Sequence, residues 1–506
     1  LILSLLIGLP LVGALLVGLF PWEKATKVLA LLVSFTVFIF SLQLYTRFDL
    51  SNAGFQFKET YDLVPNLGIH YAVGIDGISL WLILLTTFLV PLVVVAGFGA
   101  FPQRGYYACI LVLESAVIGT LASTDLFLFY VFWEMMLIPA FFLIGVWGGE
   151  NRVKATIKFV LYTMLGSLLM LVAILYVTHE VKSFDYSKIA DHFFGEDVQF
   201  WCFLAFALAF LIKIPLFPFH GWLPEAYVEA PAGGTVLLSA VMVKLGVYGL
   251  LRFCIPLFPD AAKAFAPWIM ILAVAGILHG ALMATFQTNF KRILAYSSLS
   301  HMGMILLGVF TFSLMGLQGG VLQMVSHGVY MAGLFLLAGM IYERQPSYEM
   351  SNFGGWAKTT PVLATLFLWL MASALGMPGF AGFVGEILIL VSAYKANVVL
   401  AFLAIAGFVL SAWYLFYLYG KVFLGPTNKK QKTVLDLSAR EIVLLLPLAA
   451  AVLWIGLCPN FFLRPMEKSI QANVIERLKP APAMTDFAAT QRHLQEQMEK
   501  DKKGSR

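Results

Sequence analysis

Charge is what this chain has least of. Only 12% of its 506 residues are Asp, Glu, Lys or Arg, against roughly 25% in soluble globular proteins. With 60% hydrophobic residues, 15% aromatics and a mean hydropathy of +0.86, the sequence lies outside the soluble class. Cysteine is almost as scarce. Cys109, Cys202, Cys254 and Cys458 stand singly at or within apolar runs. No C-x-x-C and no Cys/His spacing argues for a disulfide, a zinc site or an iron–sulfur cluster. A net charge of +5 is small for this length, so nucleic acid is not an expected partner. Long polar stretches are missing too. Only Arg47–Tyr71, the acidic "HEVKSFDYSKIADHFFGEDVQ" and the tail from Arg464 to Arg506 qualify. That leaves no room for a soluble catalytic domain, so any activity sits in the membrane.

What the chain does have is apolar length. About fourteen runs of spanning length, roughly 17 to 25 residues each, extend from Leu1–Phe20 to Ile442–Leu463. The spacing predicts an all-α polytopic membrane protein, with a membrane domain over residues 1–463 and a polar tail over 464–506. The end of that tail, "QRHLQEQMEKDKKGSR", lacks apolar periodicity and is expected to fray or lie on the surface. The first run has no basic n-region and no small-residue cleavage site before "PWEK", so it reads as a spanning helix and not as a signal peptide. Basic loops such as "ENRVKATIK", "NFKRIL" and "TNKKQKT" mark one cytoplasmic side and set the N-terminus outside. Fourteen crossings return the C-terminus to the outside as well, against its basic content. The short loops carry the stronger signal.

Two runs are interrupted. In "LIKIPLFPFHGWLPEA" Pro215 and Pro218 must break the helical ladder, and in "LGMPGFAGFVGEIL" Pro378, Gly379, Gly382 and Gly385 do so. Each break has an ionisable neighbour, Lys213 and Glu386. Broken helices at corresponding places in two halves are the pattern of inverted-repeat transporters. The spacing predicts two inverted repeats, about 104–256 and 264–423.

Nearly all basic residues fall in loops, at span ends or in the tail. Lys213 and Lys244 are the ones left inside apolar runs, with Glu114, Glu134 and Glu386 among the carboxylates and His279, His301 and His327 among the histidines. Asp76 and Asp125 stand at helix starts, where capping explains them. A charge near mid-bilayer costs at least ~3 kcal/mol, so intramembrane ionisables point to function before structure. The plainer alternatives are a structural ion pair, or for Glu114 and His279 an interhelical hydrogen bond. A lysine next to a carboxylate keeps its proton while the carboxylate is close and ionised, and is ready to release it when the two part. Glu134 and Lys213 are expected to form such a switch.

Four stretches carry a resemblance: "FYVFWEMMLIPAFFLIGVWGG", "KIPLFPFHGWLPEAYVEAPAGGTVLLSAVMVKLGVYGLLRF", "QTNFKRILAYSSLSHMG" and "GMPGFAGFVGE". From Tyr61 to about Leu463 the chain resembles the antiporter-like subunits of respiratory complex I, NADH:quinone oxidoreductase, and is most similar to the M type, the chain 4 homologues. The resemblance implies fourteen helices with two inverted five-helix repeats, and a proton path through Glu134, Lys213, Lys244 and Glu386, with His301 and His327 between two half-channels. Glu386 favours the M type, because the L and N types have lysine there. Glu114 and His279 are not signatures of the family. The resemblance also implies that the chain holds no cofactor, that NAD, FMN, iron–sulfur clusters and quinone belong to partner subunits, and that its neighbours are lipids and other membrane-arm subunits, especially two sister antiporter-like subunits. Its place would be the bacterial inner (cytoplasmic) membrane. The same phrases resemble subunits of multisubunit cation/proton antiporters, which is the competing function. A third reading makes His279, His301 and His327 axial ligands of a membrane haem.

Overall fold

The computed structural model describes residues 1–19, 22–426 and 434–479. The tail end "QRHLQEQMEKDKKGSR" lies outside the described residues. The apolar runs become helices: α1 (Ile2–Leu19), α2 (Glu23–Thr46), α3 (Gly77–Ala96), α4 (Arg104–Ala122), α5 (Leu126–Gly145), α6 (Arg152–Val181), α7 (Glu196–Lys213), α8 (Leu223–Glu229), α9 (Ala232–Leu257), α10 (Pro259–Thr285), α11 (Phe290–Val309), α12 (Leu314–Arg344), α13 (Pro361–Ala374), α14 (Ala381–Ala396), α15 (Val398–Phe423), α16 (Ala439–Leu457) and α17 (Pro459–Ile470). Among the described residues twelve of these are long and apolar enough to cross a membrane. The interrupted pairs α7/α8 and α13/α14 supply two more crossings, which brings the number to the fourteen expected.

Helices are not the whole structure. The segment expected as a polar loop, Arg47–Tyr71, contributes to an antiparallel hairpin of β1 (Gln56–Val64) and β2 (Ile69–Ile75), closed by Gly68 in the left-handed conformation at φ 66°. Tyr61 and Leu63 alternate with Thr60 and Asp62, a brief period-2 signal that a search for apolar length passes over. Both ends of the described chain gather at this hairpin. Glu59 accepts from the backbone N–H of Leu3 (2.8 Å) and Ser4 (3.2 Å), while Lys468 donates to the Ser51 carbonyl (3.1 Å). Fourteen crossings require the two ends to share a side, and they do. The start of the polar tail is also ordered: α17 and the turns that follow it to Leu478 bury Met466, Ile470 and Val474.

Two patterns of backbone hydrogen bonds occur twice. At the first break Ile214 N–H donates to Phe210 O, Leu216 to Leu211 and Phe219 to Leu216; at the second, Leu375 donates to Met371, Met377 to Ala372 and Phe380 to Met377. At the helix entries Leu126 N–H donates to Phe184 O and Tyr186 to Thr124, and likewise Phe290 to Tyr348 and Met350 to Thr288. The first of these entries adjoins the hairpin, where His70 N–H reaches Asp125 (3.3 Å). The second lies at the other end of α9, where Lys291 reaches the Ala230 carbonyl (2.6 Å). The same motif thus appears with opposite sense in the two halves of the chain.

Helices α9, α11 and α12 form the centre and have almost no outward face. Outer helices turn Leu165, Val172, Val399 and Phe402 outward, as a lipid-facing wall requires.

Candidate functional site

Lys213 is the last residue of α7, directly before the break, and is 3% exposed. The indole N–H of Trp222 donates to Ile212 O (2.9 Å), tying the interrupted segment to the helix end. The ammonium lies 5.2 Å from the Trp133 ring centroid and 5.9 Å from that of Phe159, within reach of both π faces. Glu134 follows Trp133 on α5 and is half-buried, with Oε1 unpartnered among the described residues. No carboxylate among the described residues comes within the 4.0 Å of an ion pair to Lys213. The expected pair is therefore near but parted here, with aromatic rings instead of a carboxylate against the lysine.

Lys244 lies in α9 and is 1% exposed. The helix widens into a π turn over Leu237–Met242, a departure that is concentrated at functional sites. The Lys244 ammonium bends back to the Ser239 carbonyl of this turn, and it also meets His327 Nδ1 at 2.7 Å. With Nδ1 accepting from the ammonium, the neutral His327 ring carries its proton on Nε2. His327 and His301 are 5.7 Å apart between ring centroids, and both flank the Tyr330 ring. His301 Nδ1 lies 3.2 Å from Glu386 Oε1, which also accepts from Gln323 Nε2 (3.0 Å). Lys244, His327, His301 and Glu386 thus form one row across α9, α12, α11 and α14. His301 Nε2, His327 Nε2 and Glu386 Oε2 have no partner among the described residues. His301 Nε2 and Glu386 Oε2 are open positions for a proton or a water, whereas His327 Nε2 is an unpaired N–H donor.

The backbone makes room for the far end of the row. Gly376 sits at φ 59°, where L side chains are disfavoured, and a Cβ there would lie 2.2 Å from Glu386 Oε2. Glycine at this position is what lets the second break fold around the carboxylate.

Glu114 and His279 stand apart from the row. Glu114 is buried in α4 with both oxygens unpartnered among the described residues. His279 on α10 is half-buried, and its ring packs against His220 (4.6 Å) and Phe217 (5.1 Å). It is not with His301 and His327, so the three histidines do not share the set of axial positions that the haem reading needed.

Several residues escaped the sequence reading. Arg252, taken for a span end, is 2% exposed, and its Nη2 meets Asp76 Oδ2 at 2.6 Å with the rings of Phe55, Tyr186 and Tyr248 around it. The signal was there, an arginine inside "YGLLRFCIP". Asp76 does cap α3 as expected, accepting from Ile78 and Ser79 N–H (both 3.1 Å). Burial alone would push its carboxyl upward, but Arg252 and those N–H groups outweigh it and hold the carboxyl below the usual range. Lys291 closes the C-terminal end of α8 through the Val228 and Ala230 carbonyls (3.0 and 2.6 Å), a favourable place for a cation. Gln323, an uncharged residue, had no signal that singled it out.

Residues 123–412 match the family described as NADH:quinone oxidoreductase/Mrp antiporter, transmembrane. NADH-quinone oxidoreductase subunit M of Rickettsia prowazekii is 39% identical over 488 residues, covering 94% of this chain and 99% of that protein. NADH-ubiquinone oxidoreductase chain 4 of Marchantia polymorpha is 39% identical over 485 residues, covering 94% and 97%. Among solved structures, a chain of respiratory complex I from Thermus thermophilus superposes with a TM-score of 0.88 at 35% identity, covering 94% of this chain and all of that one. A chain of the Mrp complex from Dietzia shares the fold, with a TM-score of 0.83 at 21% identity.

Proposed function

Since the chain belongs to the NADH:quinone oxidoreductase/Mrp antiporter family, and within it to the subunit M and chain 4 group, we propose that it is the proton-translocating membrane-arm subunit of an NADH:quinone oxidoreductase. It is a multi-pass membrane protein and part of a multisubunit complex. It moves protons while partner subunits pass electrons from NADH to quinone. NAD, FMN, the iron–sulfur clusters and quinone are assigned to those partners. Sister antiporter-like subunits and lipids are its neighbours, and the bacterial inner membrane is its place.

One observation carries the reading: the buried row from Lys244 through His327 and His301 to Glu386. Lysine, imidazole and carboxylate each bind and release a proton, and the unpartnered Nε2 of His301 gives the row a place where an incoming proton can rest. Glu134 and Lys213 form the feeding end. When Glu134 approaches, Lys213 holds its proton; when they part, as they are here, the proton is free to pass to Lys244. His279 joins this end through His220 at the first break. The two repeats, about 104–256 and 264–423, supply opposite half-channels meeting at His301 and His327.

The test is NADH-driven proton uptake by proteoliposomes holding the assembled complex. Lys244→Ala should remove most of the pumping supported by this chain. Wild-type pumping by the assembled variant would end the reading. A cation/proton antiporter subunit instead of a respiratory one would show sodium/proton exchange without NADH, and would co-purify in mild detergent without flavin or iron–sulfur partners.

A further inference from the structure

Glu114 is the deeply buried carboxylate that the row leaves out. It stands in the middle of α4 at 1% exposure, and neither oxygen meets a partner among the described residues. An unpartnered carboxyl in such a place costs a few kcal/mol even when neutral, and glutamine or methionine would fill the space without being able to take up a proton. Its surroundings lead back to the row. Leu121, two turns along the same face of α4, lines a seam with Thr86 of α3 and Lys244 itself that is too narrow to hold a water at rest. Helices α4 and α9 run in parallel here. Gly233 sits at the level of Tyr106, where an added Cβ would come within 2.5 Å of the phenol oxygen, and the Tyr248 hydroxyl donates to Leu121 O (2.9 Å). Glu114 falls between those two levels. By bending back to Ser239, Lys244 carries its ammonium along α9 toward the same depth.

We propose that Glu114 is a proton store for Lys244. On this inference, which rests on the path set out above, the Lys244 ammonium gives a proton to the Glu114 carboxylate along water admitted when the seam between α4 and α9 opens. One N–H bond breaks, one O–H bond forms, and both groups end neutral. Lys244 then has two outlets, His327 along the row and Glu114 to the side. The stored proton returns when the lysine is next empty, so Glu114 smooths the supply to the row without being the only way through.

The experiment compares Glu114→Gln, Glu114→Asp and Lys244→Ala in the assembled complex, reading protons pumped per electron pair and the redox-induced infrared difference spectrum. Glu114→Gln should lower the pumping ratio at high turnover, by less than Lys244→Ala does, and it should delete a carbonyl band of a protonated carboxylic acid. Glu114→Asp should keep a shifted band and part of the pumping. Should the glutamine variant assemble poorly, Glu114→Met, which suits the apolar surroundings, takes its place with the same expectations. A wild-type ratio with an unchanged spectrum in the Gln or Met variant overturns the store. If Lys244→Ala also pumps normally, the underlying path falls with it; if only Lys244→Ala fails, the path stands without the store.

Discussion

The buried pair Arg252–Asp76 invites a quantitative test, because both partners are almost fully enclosed at 2.6 Å and each serves several elements. Replacing Arg252 by methionine keeps most of its stem but leaves Asp76 charged, enclosed and short of its cation. Breaking one side of a buried pair costs about 3–5 kcal/mol. At 1.4 kcal/mol per tenfold, that multiplies the misfolded or unassembled fraction by roughly 10² to 4 × 10³. Asp76→Asn combined with Arg252→Met removes the stranded charge while an amide oxygen still caps Ile78 and Ser79. The double variant should recover most of the loss, falling short by about 2 kcal/mol for the cation–π contacts with Phe55, Tyr186 and Tyr248. The assay is the surviving fraction of intact complex after graded heating, read on native gels. Acid supplies a second check. A carboxyl held below its ordinary value when folded adds stability that is complete above the ordinary carboxylate range and is lost as pH falls through the folded value. The gap between wild type and Arg252→Met should therefore be full at neutral pH and close in acid. A double variant no more stable than the single one, or a gap that widens in acid, would refute the pairing argument.

Lys213→Ala should assemble normally yet lose most proton pumping and the electron transfer coupled to it; Lys213→Arg should fail too, since a guanidinium does not release its proton at usable pH. Glu386→Gln should impair pumping in membrane vesicles, whereas Glu386→Lys should retain part of it, because the unpartnered Oε1 of Gln323 can accept from an ammonium; if lysine performs no better than glutamine while aspartate restores function, negative charge itself is required. Gly376→Ala should cost about 1–2 kcal/mol for the left-handed backbone alone and should also push Glu386 off His301, giving low yield and weak pumping, and a variant with normal yield and pumping would show that the second break tolerates a side chain.

How much of this was legible in the sequence follows from the kind of physics involved. Burial penalties are local and large, so Lys213, Lys244, Glu134 and Glu386 stood out inside apolar runs, and proline and glycine announced both breaks. Partner choice is not local. Nothing in "VSHGVY" says that His327 faces Lys244, 83 positions away, because that contact depends on how α9 and α12 pack. Gln323 had no charge to pay for and so gave no sign. Arg252 was hidden by its place near the end of a run, where snorkelling is the ordinary explanation; only the fold shows that Asp76, Phe55 and Tyr186 close over it. The hairpin itself was missed because a period of two is brief and faint beside twenty-residue runs.

The π turn over Leu237–Met242 has a further meaning for how this chain could have come to carry its lysine. A π turn is an α-helix with one residue too many, and everything after it is rotated by about 100° relative to an uninterrupted helix. Lys244 points at His327 in the rotated register. Excising a single residue from the turn would close the ladder and swing the lysine, together with Arg252 farther along, to another azimuth. Insertion and rotation are in this sense one event: a single added codon could have turned a lysine from one neighbour to another without changing any side chain, and the order of the row is written in the length of α9 as much as in its letters.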